Sequence, residues 1–494
     1  MSGILLRSSM NILSLSLSAV PTYKTVANKS QQGTNGHSAS PLHVVIVGAG
    51  IGGLAAAIAC RRASPPLKVT VLERTPQIDT IGAGIHIPPN ACRVLTRFGL
   101  LDRLKAAGGY EVEDFTLRRY QDGRVLVEKP LKGRMEREYG AQWIAIHRGD
   151  YQKVLLAEAL DVGAEVMTDA EVTSVESVTD TRQTAVLKDG RRIHADVVIG
   201  ADGLWSLVRE TVLGRPFPPQ ETGDLAYRGT FTREQLHGLK NERIDKIMEQ
   251  SNIQVWLGSG RHAVFYPLRN HTEYNLVLLV GDDLPKGTRT SLGSLEEMAS
   301  HFKDWDPILS EIISCLKSPL KWKLLHFESL DRWSKGTIAL LGDASHPTLP
   351  YQGQGAAMAV EDGAILGRLL DKLQDAGLPS DQAKKNACLS DLFRLYEKIR
   401  KRRTEINVAG AVQTRHYYHL ADGVEQQKRD AEVAGLAATK WQGRCSFNWG
   451  DAEYQKSLLG FDVLVDTERM FDEWWEVWNS GKGLNGHVNG DGAA

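Results

Sequence analysis

The feature that most constrains the fold is the stretch from Leu42 to Glu73, where an apolar segment runs into three closely spaced glycines. Residues 42–47, LHVVIV, are almost all apolar, as expected of a parallel strand that is buried on both faces. Gly48, Gly50 and Gly53 follow at once, and helix-forming residues come next. The order of strand, glycine turn and helix is that of a fold that binds a dinucleotide.

Each of these glycines has its own physical role. The first permits the tight turn, the second lets the backbone approach a pyrophosphate, and the third lets the helix pack against the strand. Free amides at the start of the helix can then bind phosphate. Glu73 ends the next apolar segment, LKVTVLE, where an acid binds ribose hydroxyls and disfavours a 2′-phosphate. The adenosine half of the cofactor is therefore that of FAD or NAD.

Composition limits the size of the fold and the class of partner. A chain of 494 residues, 42% of them hydrophobic, can form two or three domains. The formal net charge of -1 gives no global field that would attract nucleic acid or an anionic membrane. The five cysteines lack a CxxC motif and zinc-type spacing, which predicts reduced thiols in a cytoplasmic compartment. No segment approaches the roughly 18 uninterrupted apolar residues of a membrane span.

The sequence pattern divides the chain into regions with different predicted secondary structure. We expect a nucleotide-binding domain at 41–213, with a hairpin at about 113–128 that joins the neighbouring layer, and its continuation at 329–375. Short strands between polar turns at 214–328 predict an inserted, mainly antiparallel substrate domain. The region 376–480 reads as helical. The fold class is therefore α/β with an inserted β domain and a helical C-terminal region.

The two ends of the chain have compositions that differ from that of a folded domain. Residues 1–40 contain no acidic side chain and are rich in serine, which predicts either a disordered tail or a leader to an organelle. Residues 481–494 are rich in glycine and are expected to be a second disordered tail.

Several local features lead to simple structural expectations. Asp150 is placed to cap a helix that runs through Leu160, and one helix is expected near 295–315. The basic run at 394–403 predicts a solvated helix face. His416 and His419 lie one turn apart without a third ligand, so we predict no metal site.

Two further turns combine glycine and aspartate. Asp202 and Gly203 follow the apolar segment ADVVIGA, and Ser206 comes shortly after them. Gly342 and Asp343 follow GTIALL, ahead of a segment with helical periodicity that begins beside GQGAA. Both turns repeat the strand, turn and helix order of the first motif.

The three turns, together with the segments GAGIHIPPN and YEKIRKRR, resemble the group A flavoprotein monooxygenases of the p-hydroxybenzoate hydroxylase fold. The resemblance covers roughly residues 42–406 and is strongest to salicylate hydroxylases, 6-hydroxynicotinate 3-monooxygenases and enzymes that tailor aromatic natural products. It implies a GR2-type Rossmann-like domain with tightly bound FAD. It also implies that a flavin hydroperoxide, formed with dioxygen, hydroxylates or epoxidises an electron-rich aromatic substrate. Phenol, hydroxypyridine and indole substrates all remain open.

The chain has no second GxGxxG motif, so NADH or NADPH is expected to bind only transiently. By the resemblance, Glu73 binds the FAD ribose and Asp343 the ribityl hydroxyls, while Arg148 contacts the cofactor. A helix that starts near the GQGAA segment would aim its positive end at the flavin and stabilise the reduced anion. The other residues expected at the cofactor are Gly84, Asp202, Gly355 and Ala356.

Four side chains are candidates for the catalytic site. His86 follows GAGI, where the resemblance predicts a contact with the substrate and a role as proton acceptor, although it could simply bond backbone. Tyr227 and Arg228 are neighbours on a strand, so alternation sends one of them to the pocket. Tyr266, in VFYPL, fits either the pocket or the core.

Three rival functions share part of this pattern. A flavin-dependent halogenase should show a WxWxIP motif and a pocket lysine, but no such Trp pair occurs in the sequence. A Baeyer-Villiger enzyme should show a second nucleotide motif, which is also missing. A GDI-like binding protein would use the same fold without flavin chemistry and would have no need for Asp343 or the Asp202 turn. Bound flavin colour distinguishes that rival from an oxidoreductase.

Overall fold

The computed structural model describes residues 41–78, 83–179, 182–316 and 319–481. Within these ranges the strands are β1 (His43–Val47), β2 (Lys68–Leu72), β3 (Gly84–Ile87), β4 (Tyr110–Glu111), β5 (Asp114–Arg119), β6 (Val125–Pro130), β7 (Ile144–His147), β8 (Glu165–Met167), β9 (Val172–Thr179), β10 (Arg182–Leu187), β11 (Arg192–Ala195), β12 (Val197–Gly200), β13 (Gln220–Thr232), β14 (Ile253–Gly258), β15 (Arg261–Leu268), β16 (Glu273–Gly281), β17 (Thr290–Leu292), β18 (Leu320–His326), β19 (Ser334–Lys335) and β20 (Ile338–Leu340).

The α-helices in the same ranges are α1 (Ile51–Arg61), α2 (Pro89–Arg97), α3 (Leu101–Ala106), α4 (Arg134–Tyr139), α5 (Arg148–Asp161), α6 (Leu207–Leu213), α7 (Arg233–His237), α8 (Glu242–Met248), α9 (Leu295–His301), α10 (Pro307–Ser314), α11 (Gly355–Ala376), α12 (Gln382–Tyr418), α13 (Val424–Gly435), α14 (Ala452–Leu459) and α15 (Val463–Asn479). None of the described helices is long and apolar enough to cross a membrane. The predicted tail at 1–40, and all but the first residue of the one at 481–494, lie outside the described residues.

The first glycine turn sits at the end of the central strand of a six-stranded sheet. The order is β19-β20-β12-β1-β2-β8, and all pairs are parallel except β19 with β20. Val44, Val45 and Ile46 of β1 are fully buried, which agrees with the apolar run in the sequence. The predicted α/β fold with a parallel nucleotide-binding sheet is confirmed.

Helices α1 and α11 approach each other closely because glycines replace larger side chains at their contact. A Cβ atom on Gly363 would lie 2.6 Å from the amide nitrogen of Ala56, and one on Gly367 would lie 2.3 Å from the Cβ atom of Ala59. The contact holds the start of α11 beside the start of α1. The turn at Gly48–Gly53 and the turn at Gly342–Asp343 therefore lie close together, at the same end of the parallel strands.

The second large sheet has eight strands in the order β17-β18-β13-β16-β15-β14-β5-β6. Its pairs are antiparallel except β14 with β5, and the hairpin β5–β6 contributes to it, as the sequence pattern predicts. This is the mainly antiparallel layer expected for the inserted region. The domain boundaries themselves stay predictions.

Two local predictions are wrong for identifiable reasons. The cap of α5 is His147, whose ring nitrogen accepts from the Gly149 amide, while Asp150 lies inside the first turn and pairs with Arg269 at 2.7 Å. The single helix expected near 295–315 is two helices, α9 and α10. Asp306 caps α10 and ends the connection between the two helices. Helices α7 and α8 were not predicted.

The basic run at 394–403 is also not a simple solvated face. The Arg400 side chain is fully buried between Glu361 and Asp362 of α11, with nitrogen–oxygen distances of 2.8 Å and 2.6 Å. Arg403 adds a third contact, at 2.9 Å from Glu361. Arg402, two residues after Arg400, is exposed. Helical periodicity places Arg400, on one face of the basic run, in the core. The carboxylates of Glu361 and Asp362 compensate its charge there.

The buried charge cluster predicts an unequal response to two matched substitutions. Arg400→Met leaves two buried carboxylates with fewer partners, which typically costs about 3–5 kcal/mol. Arg402→Met removes an exposed charge and should change stability by about 0.5 kcal/mol or less. Thermal unfolding of both variants measures the difference. An Arg400→Met protein that melts with the wild type would show that the cluster does not stabilise the α11–α12 contact.

Candidate active site

The three glycines of the first turn have different surroundings. A Cβ atom on Gly53 would lie 2.1 Å from the carbonyl oxygen of Gly48, and one on Gly48 would lie 2.4 Å from that of Ala201. The backbone leaves no room for a side chain at these two positions. A Cβ atom on Gly50 would meet nothing within 4 Å, and Gly50 lines two neighbouring cavities. The open side of the turn is therefore the side that a ligand can approach.

Two cavities meet beside this turn. One has a volume of about 440 Å³ and lies between the turn, the start of α11 and the eight-stranded sheet. The other, of about 750 Å³, extends past Glu73 and along β13 and β18. Gly50, Arg148 and Arg228 line both. The two spaces together can hold an elongated dinucleotide with its pyrophosphate near Gly50.

Glu73 lies where the sequence pattern predicts a ribose-binding acid. Its Oε2 atom accepts from the Ala49 amide at 2.9 Å, and its Oε1 atom accepts from the amide and hydroxyl of Thr75 at 3.0 Å each. These bonds fix the carboxylate at the mouth of the larger cavity, beside the first turn. A ribose in that cavity would find the carboxylate already oriented.

Asp202 forms its side-chain hydrogen bonds with the start of α6. Its carboxylate accepts from the Ser206 hydroxyl at 2.6 Å and from the amides of Leu207 and Val208 at 2.8 Å and 3.1 Å. The cap of α6 is Ser206, and Asp202 supports this cap and the first two amides of the helix. Asp202 does not line either cavity. Its neighbours Ala201 and Gly203 line the smaller cavity instead.

Asp343 lies in the turn of residues 342–344 and lines the smaller cavity. Its carboxylate forms no hydrogen bond with the described residues, so it is available to a ligand hydroxyl. Burial by the cavity walls raises the pKa of Asp343, while the charges of His346 and Arg148 act in the opposite direction. Arg148, the first residue of α5, thus brings a positive charge to both cavities.

The start of α11 forms another part of the same cavity. Helix α11 has 22 residues, and its unpaired amides and positive dipole end face the space beside Asp343. The lining residues from this region are Pro350, Gly353, Gln354, Gly355 and Ala356. Such a helix start favours a ligand that is negative or becomes negative.

Strands β3 and β15 bring two of the predicted catalytic residues together. The ring centroids of His86 and Tyr266 are 4.5 Å apart, and both side chains line the smaller cavity. A Cβ atom on Gly84 would lie 2.3 Å from the Tyr266 ring, so glycine is required there for the ring to occupy this place. Tyr266 thus lines the cavity and is also buried, at 3% exposure.

Arg228 and Tyr227 point to opposite faces of β13. Arg228 lines both cavities, and its buried Nε atom has no hydrogen-bond partner. The Tyr227 hydroxyl instead donates to Glu297, 3.1 Å away, and the ring packs in the core on the other face of the sheet. The cavity therefore contains Arg228 and excludes Tyr227.

The environment of His86 changes the role that the sequence analysis predicts for it. Burial lowers the pKa of His86 to about 4, and its Nδ1 atom is buried without a hydrogen-bond partner. An imidazole with this pKa is neutral at pH 7 and is a weak base. His86 is thus suited to accept a hydrogen bond, and less suited to remove a proton near neutral pH.

Sequence reasoning missed a histidine of the cavity wall. His262 lines the smaller cavity from β15, and its Nδ1 atom lies 2.8 Å from the Nε2 atom of His419. Strand alternation places His262, Val264 and Tyr266 on one face, which the segment RHAVFY already shows. The partner could not be foreseen because His419 is far away in sequence.

The cavity lining fits FAD. Gly50 leaves room for a pyrophosphate, Glu73 is oriented for a ribose, and Asp343 offers an unpaired carboxylate to a ribityl chain. The start of α11 supplies a positive end for a flavin ring that gains charge on reduction. The fold and this lining define a FAD-dependent protein. A wall that contains both apolar and polar side chains faces the space for the cofactor.

Comparison with known proteins gives the family. The FAD binding domain profile matches residues 41–379. The chain is 37% identical to the FAD-dependent monooxygenase OpS4 of Beauveria bassiana (strain ARSEF 2860), over 86% of this chain and 96% of that protein. It is 36% identical to the 6-hydroxynicotinate 3-monooxygenase of Pseudomonas fluorescens, over 68% and 84% of the two chains.

A solved structure of a salicylate hydroxylase substrate complex has the same fold. Its TM-score is 0.71 at 23% identity, and the match covers 88% of this chain and 98% of that one. The chain therefore belongs to the group A FAD-dependent aromatic monooxygenases, and it is an enzyme that hydroxylates aromatic substrates. The family resemblance of the sequence analysis is confirmed, while the assignment of individual site residues stays a prediction.

Asp343→Ala should weaken FAD binding. The variant loses the only carboxylate that the cavity lining offers at the 342–344 turn, so purified protein should be pale and should melt at a lower temperature. A ligand at 100 times its dissociation constant contributes about 2.7 kcal/mol to folded-state stability. Asp375→Ala, at the exposed end of α11, is the control and should keep its colour. Flavin absorbance per protein decides the matter; full FAD content and wild-type melting for Asp343→Ala would contradict the assignment.

Proposed function

We propose that this enzyme hydroxylates a phenol or a hydroxypyridine, with reducing equivalents from transiently bound NADH or NADPH. The observation that carries the proposal is the wall that β13, β15 and β16 present to the smaller cavity. Val264, Val277 and Leu279 form an apolar patch, which suits the face of an aromatic ring. Arg228 and His262 stand beside the patch, which suits an oxygen substituent on that ring.

Arg228 is suited to an anionic group of the substrate. A guanidinium stays protonated at all working pH values and binds carboxylates and phenolates in fixed geometry. A buried nitrogen without a partner costs about 1–3 kcal/mol, so a ligand that accepts from the Arg228 Nε atom would remove this cost. Arg228 is therefore expected to bind and orient the substrate.

His262 is suited to act on the ring hydroxyl. Its Nδ1 atom is occupied by His419, so Nε2 is the nitrogen that remains for a ligand in the cavity. Burial lowers the pKa of His262 as it does that of His86, so Nε2 is suited to accept a hydrogen bond from the hydroxyl. A hydroxyl that donates in this way makes the ring more electron-rich, which favours attack by an electrophilic oxygen. His86 and Tyr266 would then hold the ring in place by contact and hydrogen bonding.

FAD, when bound, would supply the redox chemistry that transfers one oxygen atom from dioxygen to the ring. The chain's own contribution is to orient the substrate and to keep water away from the reacting atoms. The apolar patch and the closely packed His86 and Tyr266 rings serve this second purpose. The Asp343 turn and the start of α11 hold the cofactor against that wall.

Two further observations support the proposal. The single glycine-rich nucleotide turn of the sequence is assigned to FAD, which leaves the nicotinamide cofactor without a resident site. Similar enzymes are named for hydroxylated aromatic acids, among them 3-hydroxybenzoate and 6-hydroxynicotinate. An indole has no ionisable hydroxyl and would leave His262 without a function, so we favour the hydroxylated rings.

A panel of substrates tests the proposal. NADH and NADPH oxidation and product formation are measured with 3-hydroxybenzoate, 6-hydroxynicotinate, benzoate and indole. We expect a hydroxylated product from at least one hydroxylated ring and none from benzoate. Hydroxylation of indole alone, with the phenol and the hydroxypyridine inert, would overturn the proposed substrate class.

Arg228→Ala should raise KM for a carboxylated phenol by roughly 10-fold to 100-fold, because a hydrogen bond to a charged group contributes about 1.5–3 kcal/mol. Flavin content should not change. Tyr227→Phe, at the neighbouring position on the opposite face of β13, is the control and should keep the wild-type KM. Steady-state kinetics with flavin quantification gives both values. Equal KM values for Arg228→Ala and wild type would place Arg228 outside the substrate site.

A further inference from the structure

The loop from Leu349 to Gly353 forms part of the smaller cavity. Residues 350–352 make one turn of 3-10 helix, and Gly353 ends this turn with a φ angle of 62°. Pro350 and Gly353 line the cavity next to the start of α11. The position of the loop therefore affects both the cofactor space and a ring that binds beside it.

Tyr351, in the middle of this loop, bonds to a strand of the eight-stranded sheet. Its hydroxyl donates to Asp224 of β13 at 2.5 Å, and Arg415 of α12 donates to the other carboxylate oxygen at 2.5 Å. Tyr351 is 5% exposed and Asp224 is 3% exposed. Burial, and after it the charge of Asp224, raise the pKa of Tyr351, so the hydroxyl keeps its proton at every working pH. The loop and the strand are thus joined by a buried bond that does not depend on pH.

Asp224 reaches the loop because β13 has a bulge at this point. Between two of its pairings with β18, β13 has three residues, 222–224, where β18 has one. Thr222 closes the bulge: its hydroxyl donates to the Leu324 carbonyl at 2.8 Å and accepts from the Asp224 amide at 3.2 Å. A bulge bends its strand and turns a side chain in a new direction. Here the side chain that it directs is the partner of Tyr351.

The same strand carries the proposed substrate-binding residue. After the bulge, β13 pairs with β16 without interruption from Asp224 to Thr232. Alternation along this stretch puts Asp224 and Arg228 on one face, and Leu225 and Tyr227 on the other face, where they pack in the core. Asp224 is therefore joined to Arg228 by four residues of regular strand.

Helix α12 supports the loop from another side. The amide nitrogen of Gln352 lies 2.9 Å from the Tyr454 hydroxyl of α14 and 3.3 Å from the Thr414 hydroxyl of α12. The Tyr454 hydroxyl has room because position 410 is glycine, where a Cβ atom would lie 1.8 Å from it. Thr414 is the neighbour of Arg415, so one segment of α12 contacts both the loop and Asp224.

We propose that the bond between Tyr351 and Asp224 is a positioning tie, which sets the distance between a substrate held by Arg228 and the cofactor side of the cavity at Pro350. The inference rests on the proposed function, in which Arg228 binds the substrate. Tyr351 and Asp224 line neither cavity, so both act through residues that do. A misplacement of about 1 Å at the reacting atoms can cost about 100-fold in rate.

Two matched substitutions separate positioning from a general contribution to stability. Tyr351→Phe removes the tie but keeps the ring, which packs 5.2 Å from the His262 ring. Tyr274→Phe is the control, because the Tyr274 hydroxyl is also buried and donates to the Met248 carbonyl at 3.0 Å, within the core on the other face of the sheet. Each variant loses one buried hydrogen bond, so a structural contribution lowers the melting temperature of both.

The first readout is the coupling of NAD(P)H oxidation to product. The FAD-loaded enzyme is assayed with 3-hydroxybenzoate, or with whichever hydroxylated ring of the panel the wild type accepts, and product and hydrogen peroxide are measured per NAD(P)H oxidised. For Tyr351→Phe we expect product formation to fall about 10-fold to 100-fold, with peroxide in place of the missing product. KM and FAD content should not change, because Arg228 and Asp343 are intact. Tyr274→Phe should keep wild-type coupling.

Hydrogen exchange of the resting FAD-loaded enzyme, without substrate, gives a second readout that does not depend on turnover. Amides of residues 349–355 should exchange faster in Tyr351→Phe than in the wild type, and at the wild-type rate in Tyr274→Phe. Wild-type coupling in Tyr351→Phe, or an equal loss of product in Tyr274→Phe, would overturn the tie while the proposed function stands. If the wild type acted on no ring that carries a hydroxyl group, both would be overturned.

Discussion

The carboxylate of Asp362 is the interaction on which the cofactor side of the site depends. It accepts from the Gly342 amide at 2.9 Å, from His346 at 2.6 Å and from Arg400 at 2.6 Å, and it is fully buried. These bonds fix the turn that carries Asp343 to helix α11. The pKa of Asp362 lies at about 2: burial raises it, and this is the largest influence, but His346 and Arg400 more than offset it. The buried charge is therefore compensated by three donors, and two of them, the Gly342 amide and His346, attach the turn to α11.

The opposite wall of the cavity is held by side-chain packing and not by buried charge. Three residues of one strand, His262, Val264 and Tyr266, face the cavity together because side chains alternate along β15. Glycine at position 84 leaves room for the Tyr266 ring, and the ring in turn packs on His86. One wall of the site is therefore fixed by buried charge and the other by close packing. A ring bound between them would meet a polar edge and an apolar face.

Much of the nucleotide side could be predicted from the sequence because its signals are local. The glycines of the first turn, Glu73 and the start of α11 each follow from residues within one strand, turn and helix. The role of Asp202 could not be settled for the same local reason: a carboxylate four residues before Ser206 can serve either a ligand or the helix that follows, and the pattern does not separate them. The cap of α5 was likewise assigned to Asp150, although His147 holds that position.

The contacts that could not be predicted join residues far apart in sequence. The buried state of Arg400 depends on Glu361 and Asp362, and the pairing of His262 with His419 spans 157 positions. No periodicity reports such pairs. The basic run containing Arg400 has the composition of an exposed helix, and only packing against α11 shows that one edge of it is buried. The neutral state of His86 also follows from burial in three dimensions.

The source of the oxygen atom in the product shows directly whether the enzyme is a monooxygenase. The FAD-loaded enzyme is reduced photochemically, mixed with 3-hydroxybenzoate or another accepted phenol and with dioxygen labelled with oxygen-18, and the product is analysed by mass spectrometry after a single turnover. We expect one labelled oxygen atom in the hydroxylated ring and no label when the heavy oxygen is supplied as water. A product labelled from water, or peroxide in place of any hydroxylated product, would contradict it.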